Sequence, residues 1–257
     1  MLISMLRFEL RYFLRQPSFY VVSLLLFLAS FLSVTSNNVV IGGGGEVFKN
    51  SPYAIAQTLL ILSLFAMFLV VNFVGSSAVR NAQFQMEELI YTKPIQAFNY
   101  QFGRFFGSYL IVLLVYFTVP LGMLLGSFMP WVDASRFGPN NLFAYLYNFI
   151  VLSAPGLFVI SALFYAAAVR FRSLMPLYLI ALVLLVLYLV SGTFASLPEY
   201  RTVAALMDPF GLRTFADVTR YWTIQEKNSQ LVELTGVLLQ NRVLWLAIAM
   251  VLLALSG

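Results

Sequence analysis

The sequence predicts an all-α integral membrane protein, with an interfacial amphipathic helix at the N-terminus followed by six transmembrane helices. Three observations carry this expectation. Of the 257 residues, 61% are hydrophobic and only 10% are charged, where soluble proteins carry roughly a quarter charged residues. The mean hydropathy is +0.89. The charges sit in short segments between apolar runs long enough to cross a bilayer. The chain therefore reads as one membrane domain, 1–257. His and Cys are both absent, so the usual zinc, haem, iron–sulfur and copper ligands are missing, and no cofactor or metal is expected in this chain. Ser-His and Cys-His nucleophilic catalysis is excluded for the same reason, and no catalytic residues are expected. A net charge of +5 would suit nucleic acid, but basic residues placed between spans encode topology instead, and no nucleic-acid partner is expected.

Residues 1–16, MLISMLRFELRYFLRQ, place Arg7, Arg11 and Arg15 on one helical stripe, with Leu2, Ile3, Leu6, Leu10, Phe13 and Leu14 opposite. That is a basic amphipathic helix for a membrane interface, an elbow over 1–17 that Pro17 ends. A signal peptide is the rival reading, and a signal anchor explains the same residues, since further spans follow. Residues 18–34 form the first span. In the loop 35–51, Gly42 to Gly45 stand in a row, but Glu46 follows them and none of Lys49, Lys93 or Lys227 follows a glycine. A phosphate-binding loop needs Gly-Lys-Ser/Thr opening a helix, so a flexible external turn is expected here. Residues 53–79 carry no charge and would make about 40 Å of helix. Gln57 and Asn72 within them either line a path or hydrogen-bond between helices.

The segment 80–104, RNAQFQMEELIYTKPIQAFNYQFGR, is too polar to cross and too aromatic for a bare linker. A short surface helix beginning near Asn81 and ending at Pro94 is the expectation. Residues 105–128 form the third span, and Trp131 is placed as an interfacial anchor in the loop 129–141. The fourth span, 142–169, holds Pro155-Gly156, which predicts a kink or a short unwound stretch. A basic turn, 170–173, leads to the fifth span, 174–195. The segment 196–242 mixes charges with apolar stretches and suggests short helices at an outer interface. The last apolar run, 243–255, gives only about 20 Å of helix against a hydrocarbon core of about 30 Å. From that shortness the sixth helix is expected to be cut, or the natural polypeptide to continue.

Basic residues in short loops set orientation. Arg7, Arg11, Arg15, Arg80, Lys93, Arg104, Arg170 and Arg172 fall in alternate segments, and the two short loops of the other set hold Lys49 and Arg136. The N-terminus and 80–104 are thus expected to be cytoplasmic, and 196–242 external.

Several stretches resemble the type-2 ABC exporter permeases: FELRY at 8–12, EELIYTKPI at 87–95, Tyr100 with GRFFGS at 103–108, MPWVD at 129–133, DPFGL at 208–212, TRYW at 219–222 and NRVLW at 241–245. More narrowly, the chain is similar to the N-terminal permease segment of bacterial proteins in which permease segments are fused to a zinc metallo-aminopeptidase domain. The His-Glu-x-x-His motif of that peptidase is absent here, so peptidase activity is not implied for this chain. The resemblance implies a multi-pass protein of the bacterial inner membrane, pairing with a second permease subunit or segment and with a separate ABC ATPase that binds ATP and Mg. It implies that Arg80, Glu87, Glu88, Tyr91, Lys93 and Pro94 belong to a coupling helix docked on the ATPase. The same acidic pair would also suit a solvated helix face. It further implies that Asp208, Pro209, Phe210 and Gly211 close an outer gate, for which the alternative is a turn with a buried aromatic plug. A secondary carrier is disfavoured by spans read as free of ionisable residues. An intramembrane protease is disfavoured because His is absent and Asp133, Asp208 and Asp217 all lie in loops. A membrane scaffold for an external domain remains the other reading. Few polar groups in the spans favour a lipid-like or apolar cargo.

Overall fold

The computed structural model describes residues 2–36, 38–39, 41–84, 97–195 and 197–256. It is an all-α membrane architecture, without strands among the described residues. Helix α1 (Leu2–Leu14) precedes six helices long and apolar enough to span a bilayer. These are α2 (Pro17–Thr35), α3 (Pro52–Arg80), α4 (Asn99–Gly126), α5 (Leu142–Phe171), α6 (Leu174–Thr193) and α10 (Gly236–Ser256). Between the last two, the described residues hold three short α-helices, α7 (Arg201–Leu206), α8 (Leu212–Val218) and α9 (Ile224–Ser229), after a 3-10 turn at Pro198–Tyr200.

Local chemistry starts and stops these helices where the sequence supplies it. Pro17 and Pro52 stand in first turns, where a missing N–H costs nothing. The Ser51 hydroxyl accepts from the Ala54 amide, the Asn141 side chain accepts from Phe143, and Thr223 with Glu226 forms a capping box. Arg172 turns left-handed to end α5. The Lys49 ammonium donates to the carbonyls of Val34 and Ser36 at 3.0 and 2.6 Å, so a cation from the following loop closes the C-terminus of α2.

Helices α3 and α5 form the buried centre, whereas α2 and α6 are apolar all round and leave most of their surface outward, as lipid-facing helices do. Helix α4 carries two G-x-x-x-G pairs, and each seats a different neighbour. A Cβ on Gly103 would stand 2.8 Å from the Met5 Cβ, and one on Gly107 2.7 Å from the Glu9 Cβ, so α1 lies directly on the first pair. On the second pair, a Cβ at Gly122 would meet Ser30 and come within 2.6 Å of the Phe27 carbonyl, so α2 lies against it. Small residues at this spacing allow close backbone approach, which is how helices associate where lipid removes the hydrophobic drive.

Several boundaries differ from the sequence reading, for one reason. Helical backbone satisfies itself wherever it lies, so helices run past the charges that end an apolar stretch. The second span continues through Arg80 to Gln83 without a new helix at Asn81, the third begins before Arg104, and the sixth begins at Gly236. At 21 residues, α10 extends about 31 Å, so the inferred shortness of the sixth helix was a misplaced boundary. Arg80, Arg104 and Arg242 therefore lie on spanning helices, which overturns the reading of spans free of ionisable groups. Pro155-Gly156 does not unwind α5. A π-turn at Phe149–Ser153 precedes the proline, and the Tyr109 hydroxyl donates to the Ala154 carbonyl at 2.9 Å. A second π-turn, Val71–Gly75, interrupts α3. The glycine run is a packed turn: a Cβ on Gly42 would come within 2.8 Å of the Ala54 Cα, and the Arg136 guanidinium donates to the Gly43 carbonyl.

Gly122→Ala should lower stability by about 1–3 kcal/mol through overpacking against α2. Gly192→Ala, where the added methyl meets nothing within 4 Å, should be neutral or stabilise by up to about 1 kcal/mol. Thermal unfolding of the purified protein in detergent checks both, and equal effects would contradict the packing.

Candidate functional site

Two buried polar junctions stand at opposite ends of the bundle. The first is built on Glu9, the residue of α1 that faces Gly107. Periodicity of α1 puts Leu2, Met5, Leu6, Leu10 and Phe13 beside it on the packed face, while Ile3 and Leu14, expected on the apolar side, point away from the bundle. Arg7, Arg11 and Arg15 are exposed. The Glu9 side chain is fully buried. Its Oε1 is paired with the Arg80 guanidinium from α3 and lies 3.5 Å from Arg104 Nε on α4. Arg80 also packs over the rings of Tyr12 and Phe8, at 4.5 and 5.3 Å, and Arg104 over Tyr100 at 5.4 Å. One carboxylate thus meets two guanidiniums, whose excess charge is spread over three aromatic faces. Glu9 Oε2, Arg80 Nη1 and Arg104 Nη2 are buried without hydrogen-bond partners. Removing one member of such a set leaves uncompensated buried charge.

The second junction surrounds 208–211. Asp208 is buried, and its carboxylate accepts from the Phe210 amide (2.9 Å), the Arg213 amide (2.6 Å) and the Tyr188 hydroxyl (3.1 Å). Burial outweighs these bonds and holds the Asp208 carboxyl above the ordinary carboxylate range. Asn241 on α10 donates to the carbonyls of Ala205, Leu206 and Asp208. Arg242 donates to Phe210 at 3.3 Å and to Leu152, in the π-turn of α5, at 3.0 Å. Gly211 has φ +82°, and the Arg242 guanidinium occupies the place any Cβ would need, so only glycine fits there. Pro209 and Gly211 do form a turn. Phe210 is buried at 4% exposure, edge-on to the Tyr188 ring at 5.2 Å.

Of the residues assigned to coupling, the structure places Arg80 in the first junction, and Glu87, Glu88, Tyr91, Lys93 and Pro94 lie outside the described residues. Reading the sequence missed Glu9, Arg104, Asn241 and Arg242 as site residues. The signals were present as a lone acid on the apolar side of an arginine-rich helix, and as Asn-Arg ahead of the last apolar run. Among the described residues, no cluster of acids has the composition of a metal site. Taken together, these features define a polytopic α-helical membrane protein with polar locks at both ends. The chain matches no protein-family model and no curated protein in sequence.

Glu9→Ala should destabilise by about 3–5 kcal/mol, while Ile3→Ala at the exposed side of the same helix should change little, both read by thermal unfolding in detergent. At the other end, a raised folded pKa means that titration of Asp208 contributes most stability below the ordinary carboxylate range and loses it as pH rises through the folded value. The unfolding midpoint of the wild type should therefore fall relative to Asp208→Asn as pH rises above about 4. A constant difference would contradict a desolvated carboxyl.

Proposed function

We propose that the chain is the transmembrane subunit of an ATP-binding-cassette exporter, forming the substrate pathway with a second permease unit and coupling to a separate ATPase that holds ATP and Mg. The observation that carries this reading is the Glu9 junction. It ties the interfacial helix to α3 and α4 at the bundle end where the 80–104 segment emerges. A load applied to that segment by a docked partner passes into two spans and the elbow together. The resemblance of the FELRY, EELIYTKPI and DPFGL stretches to type-2 permeases points the same way.

Orientation follows from charge. Arg7, Arg11, Arg15, Arg80, Arg104, Arg170 and Arg172 cluster at one end of the helices, which on the positive-inside rule is the cytoplasmic face of the inner membrane. At the other end, the loop after α2, the loop after α4 and the α7–α9 segment pack together: Asn50 bonds Gly138 and Asn140, and Asn228 bonds Phe48 and Glu46. This is the external face, and the 208–211 turn would hold the outer gate closed through Arg242 and Asn241. Charged groups at the ATPase interface, Glu87 and Glu88 with Lys93, would orient the partner, and Tyr91 would supply buried area. The spans carry few polar groups, which suits an apolar or lipid-like cargo.

Co-expression of the chain with candidate ATPases, followed by purification in detergent, is the test. One ATPase should co-purify with the wild type and be released by Glu87→Arg/Glu88→Arg. If none binds, the chain is instead an anchor or scaffold for an external domain, such as the metallo-aminopeptidase of the fused proteins it resembles.

A further inference from the structure

The external end carries a groove of about 290 Å³ lined by Gly192, Arg201, Ala204, Arg213, Ala216, Asp217 and Arg220. Three guanidiniums face one carboxylate there, so the lining is net cationic. Arg213 is held in place from below, its Nη2 donating to the Tyr188 carbonyl (2.6 Å) and the Ser191 hydroxyl (2.7 Å), with its guanidinium over the Tyr188 ring at 4.3 Å. These partners belong to the last turns of α6, so the groove opens at the level where a spanning helix leaves the hydrocarbon. Its α6 wall is Gly192, beside which a Cβ would meet nothing within 4 Å. On the same face of α6, three, seven and ten residues before Gly192, stand Leu189, Leu185 and Leu182. Leu189 and Leu182 are exposed, and Leu185 is half-buried. A cationic groove thus sits directly above an outward apolar track.

We propose that this groove binds an anionic glycerophospholipid, its phosphate between Arg201, Arg213 and Arg220 and an acyl chain along Leu189, Leu185 and Leu182. Arg213 supplies direction, because its Nη2 is committed to α6 while its side chain lines the groove. Asp217 disfavours highly charged headgroups and leaves a site suited to a single phosphodiester. A free inorganic anion would use the arginines but gain nothing from the leucine track.

Native mass spectrometry of the full chain released from detergent tests this, with phosphatidylglycerol, phosphatidylcholine and soluble glycerol phosphate as probes. Phosphatidylglycerol adducts should be retained in preference to phosphatidylcholine, and Arg201→Gln/Arg220→Gln should weaken retention about 30-fold, from two guanidinium contributions at an anionic headgroup. Arg170→Gln/Arg172→Gln, at the opposite end, should leave it unchanged. If the double variant does not fold, Arg220→Gln alone, at an exposed position, should still weaken retention about fivefold. Equal retention of phosphatidylcholine, displacement by millimolar glycerol phosphate, or equal loss in the Arg170/Arg172 variant would each overturn the proposal.

Discussion

The contact of Glu9 with Arg80 and Arg104 joins three elements that the sequence keeps far apart, and the arrangement of the basic end follows from it. A carboxylate removed from water is costly unless its charge is met. Glu9 sits on a helix whose exposed stripe is arginine-rich, and it would be the wrong residue on the packed side of any ordinary interfacial helix. It becomes tenable because α4 offers glycine at positions 103 and 107, which lets α1 approach until Glu9 lies beside Arg104, and because α3 runs on far enough to bring Arg80 down from the other side. Close approach and charge pairing therefore require each other. A side chain at Gly107 would lift Glu9 off its partners, and loss of Glu9 would leave two guanidiniums facing each other across the gap.

The opposite end obeys the same constraint with backbone as the acceptor. The turn at 208–211 carries buried carbonyls that need donors, and Asn241 and Arg242 on α10 supply them. Arg242 reaches Leu152 in the π-turn ahead of Pro155 as well. The proline irregularity of α5, the glycine turn and the start of the last spanning helix are thus held by one guanidinium. The bundle is locked at both membrane faces and is joined between them mainly by apolar packing around α3 and α5.

Apolar runs made the number and order of the spans legible in the sequence, because nothing else in a protein of this composition needs such runs. Their ends were not legible. Arg80, Arg104 and Arg242 interrupt hydropathy and so read as loop, yet each extends a helix inward to a polar junction that no local window reveals. Glu9 was hidden for the same reason, since its partners stand 71 and 95 positions away. The two G-x-x-x-G pairs of α4 were readable and were passed over. The turn at 208–211 was recognised from Pro209 and Gly211, but its burial depends on Arg242, and proximity of that kind is a tertiary fact. Of the residues proposed for coupling, Arg80 belongs to this framework, and the others lie in 85–96, outside the described residues.

The seating of α1 on α4 is tested most directly by cross-linking, for which a chain without native cysteine is well suited. A Cβ at position 103 would lie 2.8 Å from that of Met5, close enough to relax to the roughly 3.8 Å of a disulfide. Met5→Cys/Gly103→Cys in native membranes should form an intramolecular disulfide on mild oxidation, detected by mass spectrometry of the linked peptide, and Ile3→Cys/Gly103→Cys should not. Linkage of the second pair, or of neither, would contradict a helix docked through Met5 and Glu9.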